Sequence, residues 1–356
     1  MRFLSCLAFL LALVAQPAAA QVSPDLRPLE QRLATLATEN AGEYGFAALD
    51  LQTGEMVSYN GQRSFPMAST MKIAVAAAYL TEVDAGRRTL DEMIGTTSAL
   101  TLMEQMLIHS NNQSTDRLIA TLGGPAAVNG WLRAHRLTGI RVDRNIAQLL
   151  AATRDLHDIR DSSTPVAMLQ LLRLIDSGQA LSPQSRTLLL DIMRRCATGR
   201  NRIRGLMPPD AMVEHKTGTL TGYTGDVGFL TYPDGRRLAV VFFARGGDNR
   251  PAVISTAARA IYDGFGNEGQ GLAGQLGGRF TQASTWQQVN RTVANEGDND
   301  DNNDNGDEGE EAKPAPIPQA APPLQMAPPP TTARRIPGRQ PAPVRCTLRA
   351  SAAGLC

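Results

Sequence analysis

The chain has 356 residues, 42% of them hydrophobic, enough for one large core or two smaller ones. Its formal net charge of +1 gives no electrostatic case for a nucleic-acid partner. Basic charge is carried almost wholly by arginine: within the 35 Lys plus Arg, the lysines are Lys72, Lys216 and Lys313.

Residues 1–20 read as a secretory signal. Arg2 is the charged leader, Phe3 to Val14 the apolar stretch, and Ala18-Ala19-Ala20 the small-residue cleavage site, leaving Gln21 as the new N-terminus. The apolar stretch is too short to span a bilayer, and no later segment is long and apolar enough. No cysteine sits at the cleavage point to carry a lipid, and Cys6 leaves with the signal. The expectation is an exported protein, periplasmic or secreted, without a transmembrane segment.

Apolar periodicity then predicts helices over Asp25 to Thr38 and Met71 to Val83, with a hairpin between them, Gly45 to Asn60, turning at Thr53-Gly54. Further helices are predicted over Gln113 to Leu122, ending at Gly123-Gly124, and over Pro125 to Arg136. Thr164 caps another, with Pro165 at its first position, running to about Ile175. Pro183 to Ala197 and Ala252 to Tyr262 complete the helices. Three strands lie before the last: "VEHKTG", "GDVGFLTY" and "RRLAVVFFA", the latter two joined by the turn Tyr232-Pro233-Asp234-Gly235. Two strands, many helices, three strands and a helix describe an α+β protein. An antiparallel sheet is completed by distant parts of the chain, with a helical lobe inserted between them.

The globular pattern ends near Phe265. Residues 267–356 run through an acidic stretch, Glu296 to Glu311, a Pro- and Ala-rich stretch and a basic C-terminus. Such composition cannot bury enough apolar surface to offset chain entropy, so a disordered tail is expected. The expected organisation is a signal at 1–20, a folded unit at 21–266 and the tail. Asp301, Asn303, Asn305 and Gly306 match half of a calcium loop, but its twelfth position is Ala312 and no helices flank it, so a solvated acidic spacer is the better reading. Cys196 lies in a helical pattern as a small buried hydrophobe, while Cys346 and Cys356 could close a small loop or stay free. No spacing of Cys and His suggests zinc.

Two of the lysines sit in chemically suggestive contexts. Ser69 precedes a helical run and Lys72 lies three residues on, a spacing that shares one helix face. A serine there sits at the positive end of the helix, and a desolvated lysine amine can serve as its base. Lys216-Thr217-Gly218 falls at a strand end, where glycine permits close backbone approach. Amides beyond it can stabilise an oxyanion, and Thr217 and Thr219 can meet a carboxylate. Ser110-Asn111-Asn112 marks a helix break, either a helix cap or a shuttle hydroxyl with a substrate-binding amide.

Each motif alone is weak. Together, Ser-x-x-Lys, Ser-x-Asn and Lys-Thr-Gly, in this order and spacing, resemble the penicillin-recognising serine enzymes, and the class A β-lactamases in particular. "RVDRN" at Arg141 to Asn145 and "RDSSTPVAM" at Arg160 to Met168 also look like that family's loop and following helix. The resemblance implies a five-stranded antiparallel sheet flanked by helices with an inserted all-helical lobe. It implies Ser69 as nucleophile, Lys72 in its activation, Ser110 as proton shuttle and Asn112 as a substrate-binding amide. Lys216, Thr217, Gly218 and Thr219 would form the carboxylate subsite, and the N–H groups of Ser69 and Thr219 an oxyanion hole. A β-lactam or D-Ala-D-Ala peptide would be the substrate, handled by a monomer with no metal or organic cofactor. The lysines are then explained, since arginine is neither a proton acceptor nor a compact ammonium.

One departure stands out. The family's deacylating glutamate, in a Glu-x-x-Leu-Asn pattern, falls on Ile146, and the asparagine on Leu150. No glutamate occurs between Gln105 and Val213. General-base catalysis supplies roughly 10²–10⁴-fold, so acylation is expected to outrun hydrolysis. This suggests a penicillin-binding D,D-peptidase-like enzyme, with the tail reaching the cell wall. Two alternatives stay open: a β-lactamase using Asp155, Asp158 or Lys72 as base, and a non-catalytic wall-binding module or esterase-like hydrolase. Elsewhere, His109 and His215 are expected to be structural and Trp131 to be core, and Arg204, Arg245 and Arg250 are candidates for a carboxylate-binding guanidinium among which the sequence does not choose.

Overall fold

A computed structural model describes residues 26–268. The expected signal, the calcium-loop-like window, the Cys346–Cys356 pair and the expected tail from residue 269 on lie outside the described residues; residues 267 and 268, expected to begin the tail, instead end the last helix. No helix among the described residues is long and apolar enough to cross a membrane.

The described chain opens with α1 (Arg27–Glu39), then the hairpin β1 (Glu43–Asp50) and β2 (Met56–Tyr59). After β3 (Phe65–Pro66), a 3-10 turn, Ala68–Met71, runs straight into α2 (Lys72–Asp84). The small ribbon β4 (Met93–Ile94) and β5 (Thr97–Ser98) precedes α3 (Ala99–Ile108), α4 (Asn112–Leu122), α5 (Pro125–Ala134) and α6 (Ile146–Ala151). Next come β6 (Ser162–Ser163), α7 (Pro165–Asp176) and α8 (Pro183–Arg194). The strands β7 (Met212–Leu220), β8 (Tyr223–Thr231) and β9 (Arg237–Arg245) and the helix α9 (Arg250–Glu268) complete it.

Five strands form one antiparallel sheet in the order β2-β1-β9-β8-β7. The N-terminal hairpin thus docks on the C-terminal strands, Glu43 opposite Arg245 through to Asp50 opposite Leu238. The helical lobe is what lies between, as the element order predicts. Alternation explains why β9 is apolar throughout. Leu238, Val240, Phe242 and Ala244 pack with α1 and α9, while Ala239, Val241 and Phe243 face the other core with the helical lobe. Helix α2 runs through the middle of that second core. Every residue from Lys72 to Leu80 is buried, which accounts for its Ala-rich, all-round apolar sequence.

Two helices escaped the sequence reading. α3 begins at Ser98, whose hydroxyl accepts the Thr101 amide. α6 is only 6 residues long, too short to display a period, but it opens with a capping box between Asn145 and Gln148. It sits in a loop closed at its neck by an ion pair, Arg144 Nε to Asp161 Oδ2 at 2.5 Å. Asp161 also accepts the amides of Asp143 and Arg144 at 2.7 and 2.9 Å. Its own carbonyl accepts the Met67 amide at 2.9 Å. The loop is therefore tied to the chain two residues before Ser69.

Candidate active site

Ser69 lies in the 3-10 turn rather than the first α-helical turn. Because a 3-10 winding eclipses residues three apart, Ser69 and Lys72 align along its axis more directly than an α-helix would place them. Ala68 has φ 46, a left-handed conformation costly for a non-glycine residue. Ser110, at the α3–α4 corner, has φ 59 and is held the same way. That corner is fixed by Gln105, whose carbonyl accepts the Asn111 amide and whose Oε1 accepts the Ser114 hydroxyl at 2.7 Å. Asn111 caps α4 through the Ser114 amide at 2.8 Å. The cap and the chemistry thus fall on different residues of one tripeptide, leaving Ser110 and Asn112 to face the lysines.

Lys72 Nζ donates to the Ser110 carbonyl at 2.5 Å and to Asn112 Oδ1 at 2.9 Å, and lies 3.2 Å from Ser110 Oγ. Lys216 Nζ reaches the same hydroxyl at 3.0 Å and the Thr217 carbonyl at 2.9 Å. Both lysines are fully buried, whereas Ser69, Ser110, Asn112 and Thr219 are half-buried. The structure therefore brings Lys72, Ser110, Asn112 and Lys216 together. β7 is the edge strand of the sheet, and it lies against the 3-10 turn of Ser69. A Cβ added at Gly218 would come within 2.6 Å of the Met67 carbonyl and 3.1 Å of the Thr70 amide nitrogen. Only glycine allows that approach.

The guanidinium beneath this strand is Arg202, which the sequence reading missed. It is buried, and donates to Thr219 Oγ1 at 2.8 Å and to the carbonyls of Gly218 and Gly225 at 3.4 and 3.3 Å. The three arginines singled out from sequence go elsewhere. Arg245 binds Glu43 and the carbonyls of Ser64 and Leu156, Arg204 the carbonyls of Arg194 and Val213, and Arg250 Thr224 and the Gly246 and Gly247 carbonyls. Nothing local distinguishes Arg202 in an arginine-rich stretch; the strand pairing does.

Behind the lysine, His215 is fully buried and its Nδ1 meets Asp226 at 2.8 Å. His215 is thus buried and hydrogen-bonded, while His109 is exposed at the end of α3. Burial alone would lower the His215 pKa, but Asp226 and then Cys196 outweigh it and raise it to about 9. For the buried Cys196 thiol, burial would push the pKa up. The charges of His215 and Lys216 bring it instead to about 6. Trp131 is half-buried, its indole N–H on Thr81 Oγ1 at 2.9 Å.

On α6, Ile146 and Leu149 are buried and Leu150 is 46% exposed. Asp116 on α4 turns its carboxylate to this helix, accepting the amides of Ile146 at 2.6 Å and Ala147 at 3.0 Å. The two aspartates considered as substitute bases are engaged elsewhere. Asp158 binds Arg160 and Arg144, and Asp155 accepts the His157 amide at the exposed end of the loop. No cluster of metal-binding side chains occurs among the described residues.

A family model described as "Beta-lactamase enzyme family" matches residues 28–265. The carbapenem-hydrolyzing beta-lactamase KPC of Klebsiella oxytoca is 32% identical over 67% of this chain and 89% of its own length. Beta-lactamase CTX-M-8 of Citrobacter amalonaticus is 29% identical over the same shares. Among solved structures, the class A beta-lactamase of the last common ancestor of Gram-negative bacteria superposes with a TM-score of 0.63 at 34% identity, covering 67% of this chain and 99% of that one. A beta-lactamase from Chitinophaga pinensis gives 0.63 at 29% identity, with the same coverage.

Proposed function

The chain belongs to the beta-lactamase enzyme family and is a serine hydrolase of the class A fold; from this we infer that it attacks a β-lactam through Ser69 and releases the acyl group slowly. The observation that carries the first half is the convergence of Lys72 and Lys216 on the Ser110 hydroxyl. In the acylation step Lys72 takes the Ser69 proton as Oγ bonds to the lactam carbonyl carbon. The proton returns through Ser110 to the departing lactam nitrogen as the C–N bond breaks, so no net proton is gained or lost. Asn112 holds the substrate's acylamino group. Thr217 and Thr219, braced by Lys216 and Arg202, receive its carboxylate beside Gly218. The carbonyl oxygen is held by the amides of Ser69 and Thr219, where one such donor is worth roughly 3–4 kcal/mol.

The second half rests on α6. Its Ile146 and Leu150 offer no atom to bind or deprotonate a water, and the neighbouring Asp116 carboxylate is occupied by helix amides. Without a general base, hydrolysis of the acyl-enzyme loses roughly 10²–10⁴-fold. A D-Ala-D-Ala peptide of the cell wall fits the same step and is the proposed physiological substrate class, with residues 1–20 directing export and 267–356 reaching the wall. The folded catalytic unit is 21–266. A second reading, turnover through a different base, is favoured by the relatives, whose names are those of β-lactamases, one of them carbapenem-hydrolyzing.

The test is intact-protein mass spectrometry of the mature protein with benzylpenicillin over minutes to hours, with Ser69→Ala as control. A persisting adduct on the wild type alone is expected. A transient adduct with penicillin consumed would favour the second reading, and no Ser69-dependent adduct would overturn both.

A further inference from the structure

A row of side chains leads away from the carboxylate subsite into the protein. Thr217 Oγ1 lies 2.5 Å from Thr198 Oγ1, and Thr198 Oγ1 lies 3.4 Å from the Cys196 sulfur. Beyond the sulfur is His215, whose Nε2 makes no hydrogen bond among the described residues, whose Nδ1 is held by Asp226 and whose charge acts on the thiol. Asp226 in turn accepts the Ile203 amide at 3.2 Å. We propose that Cys196 is a positioning residue, forming with Thr198 a directional hydrogen-bond relay that sets whether Thr217 donates its hydroxyl to the substrate's carboxylate, with the buried His215–Asp226 pair setting the charge beside the sulfur. This rests on the reading that Thr217 meets that carboxylate.

The relay has a direction because each hydroxyl carries a single proton. With Cys196 as a thiol, S–H donates to Thr198, Thr198 to Thr217, and Thr217 is left to donate outward. With Cys196 as a thiolate, its proton has gone to water and the charge is balanced by the protonated His215, whose Nδ1 proton is shared with Asp226. The sulfur then accepts from Thr198, Thr198 accepts from Thr217, and the carboxylate loses a donor. One proton leaves for water as the thiol ionises and returns when it re-forms.

The charges around the sulfur favour the thiolate. His215 and Lys216 face it from β7, with Asp226 of β8 behind the imidazole. From α8 the nearby arginines are turned away, Arg194 to Asp191 and Arg195 to Asp191 and Glu104 of α3. A bound carboxylate, which needs the outward donor, pulls the proton back onto sulfur. Binding at the surface and the protonation of a fully enclosed thiol are thereby linked.

Two measurements test this. The first follows the ultraviolet absorbance of the thiolate against pH, as the difference between each protein and its Cys196→Ser counterpart. Thr217→Val is expected to raise the thiolate midpoint although it does not touch the sulfur, because it removes the donor behind Thr198. An unmoved midpoint overturns the relay, whatever the protein acylates. The second measures Ser69 acylation by benzylpenicillin and by its methyl ester from acid to mildly alkaline pH. For the wild type, the acid-to-ester rate ratio is expected to fall roughly tenfold as Cys196 ionises, the size of one hydrogen bond to a charged group. In Cys196→Ser, which stays neutral, the ratio should be flat. Superimposable ratio profiles would overturn the proposal while leaving the proposed function standing; acylation by neither compound would overturn the proposed function instead.

Discussion

The carboxylate of Asp116 accepts the backbone N–H of Ile146 at 2.6 Å, so an acid on α4 caps the short helix that carries the aliphatic residue proposed to replace the deacylating glutamate. A glutamate placed at 146 would stand beside a carboxylate already there. Like charges at close range disfavour ionisation of one of them, and a protonated glutamate is no base. Ile146→Glu alone is therefore expected to leave the acyl-enzyme long-lived. Ile146→Glu with Asp116→Asn should speed its loss by roughly 10²–10⁴-fold. The decay of the penicilloyl adduct by mass spectrometry measures both. Equal rates in the single and double variants would defeat the argument.

The two buried lysines differ in what they must do. Lys72 fits three acceptors around one small ammonium or amine, and its proposed role includes taking a proton. Lys72→Arg brings a planar, permanently charged group into that space and should cut the second-order acylation rate by roughly 10²–10⁴-fold. Lys216→Arg retains the charge facing Ser110 and the substrate carboxylate, and should cost roughly tenfold, the size of one charged hydrogen bond. Stopped-flow or quenched mass-spectrometric acylation rates separate the two. Lys72→Arg acylating at near wild-type speed would remove Lys72 from the proton path.

Gly218 marks the contact between β7 and the 3-10 turn that carries Ser69, the proposed nucleophile. An added methyl group meets backbone on the far side, at 2.6 Å from the Met67 carbonyl, and neither chain can yield locally. Gly218→Ala should push β7 away from Ser69 and abolish acylation. It should cost about 1–3 kcal/mol of stability, the usual size of overpacking. Normal acylation by a folded Gly218→Ala protein would show that the strand need not touch the turn.

How much of this was written locally in the chain follows from how each feature arises. The hairpin, the last three strands and the longer helices announce themselves through period and turn residues, and the scarce lysines flag two motifs of the site. The sheet's apolar strands do not say which face they bury; that follows from the β1–β9 pairing across nearly the whole chain. α6 has no period to read, though its Asn145 and Gln148 carry the cap signature. Asp116 at Ile146, Arg202 under Thr219 and Cys196 beside His215 join residues with no local signal at all. Each looks like an ordinary surface charge or core residue until the fold brings its partner.

The Cys196–His215 pair also makes a prediction about stability. His215, raised from 6.5 to about 9 on folding, contributes fully below pH 6.5 and loses that contribution as pH rises to about 9. Cys196, lowered from 9.0 to about 6, contributes fully above pH 9.0 and loses it as pH falls through about 6. Between these limits the folded pair holds one proton, on imidazole, and the unfolded pair also holds one, on the thiol. The slope of stability with pH is the difference in bound protons, so the two contributions cancel and the pair adds no slope from about 6.5 to 9. Cys196→Ser removes the thiol but leaves His215 against Asp226. The variant should then lose stability relative to wild type as pH rises above 6.5, because only its folded state still holds the imidazole proton. Urea midpoints across this range, compared between the two proteins, check it. A constant difference between them would mean that Asp226 alone, without the Cys196 thiolate, does not hold the imidazole proton.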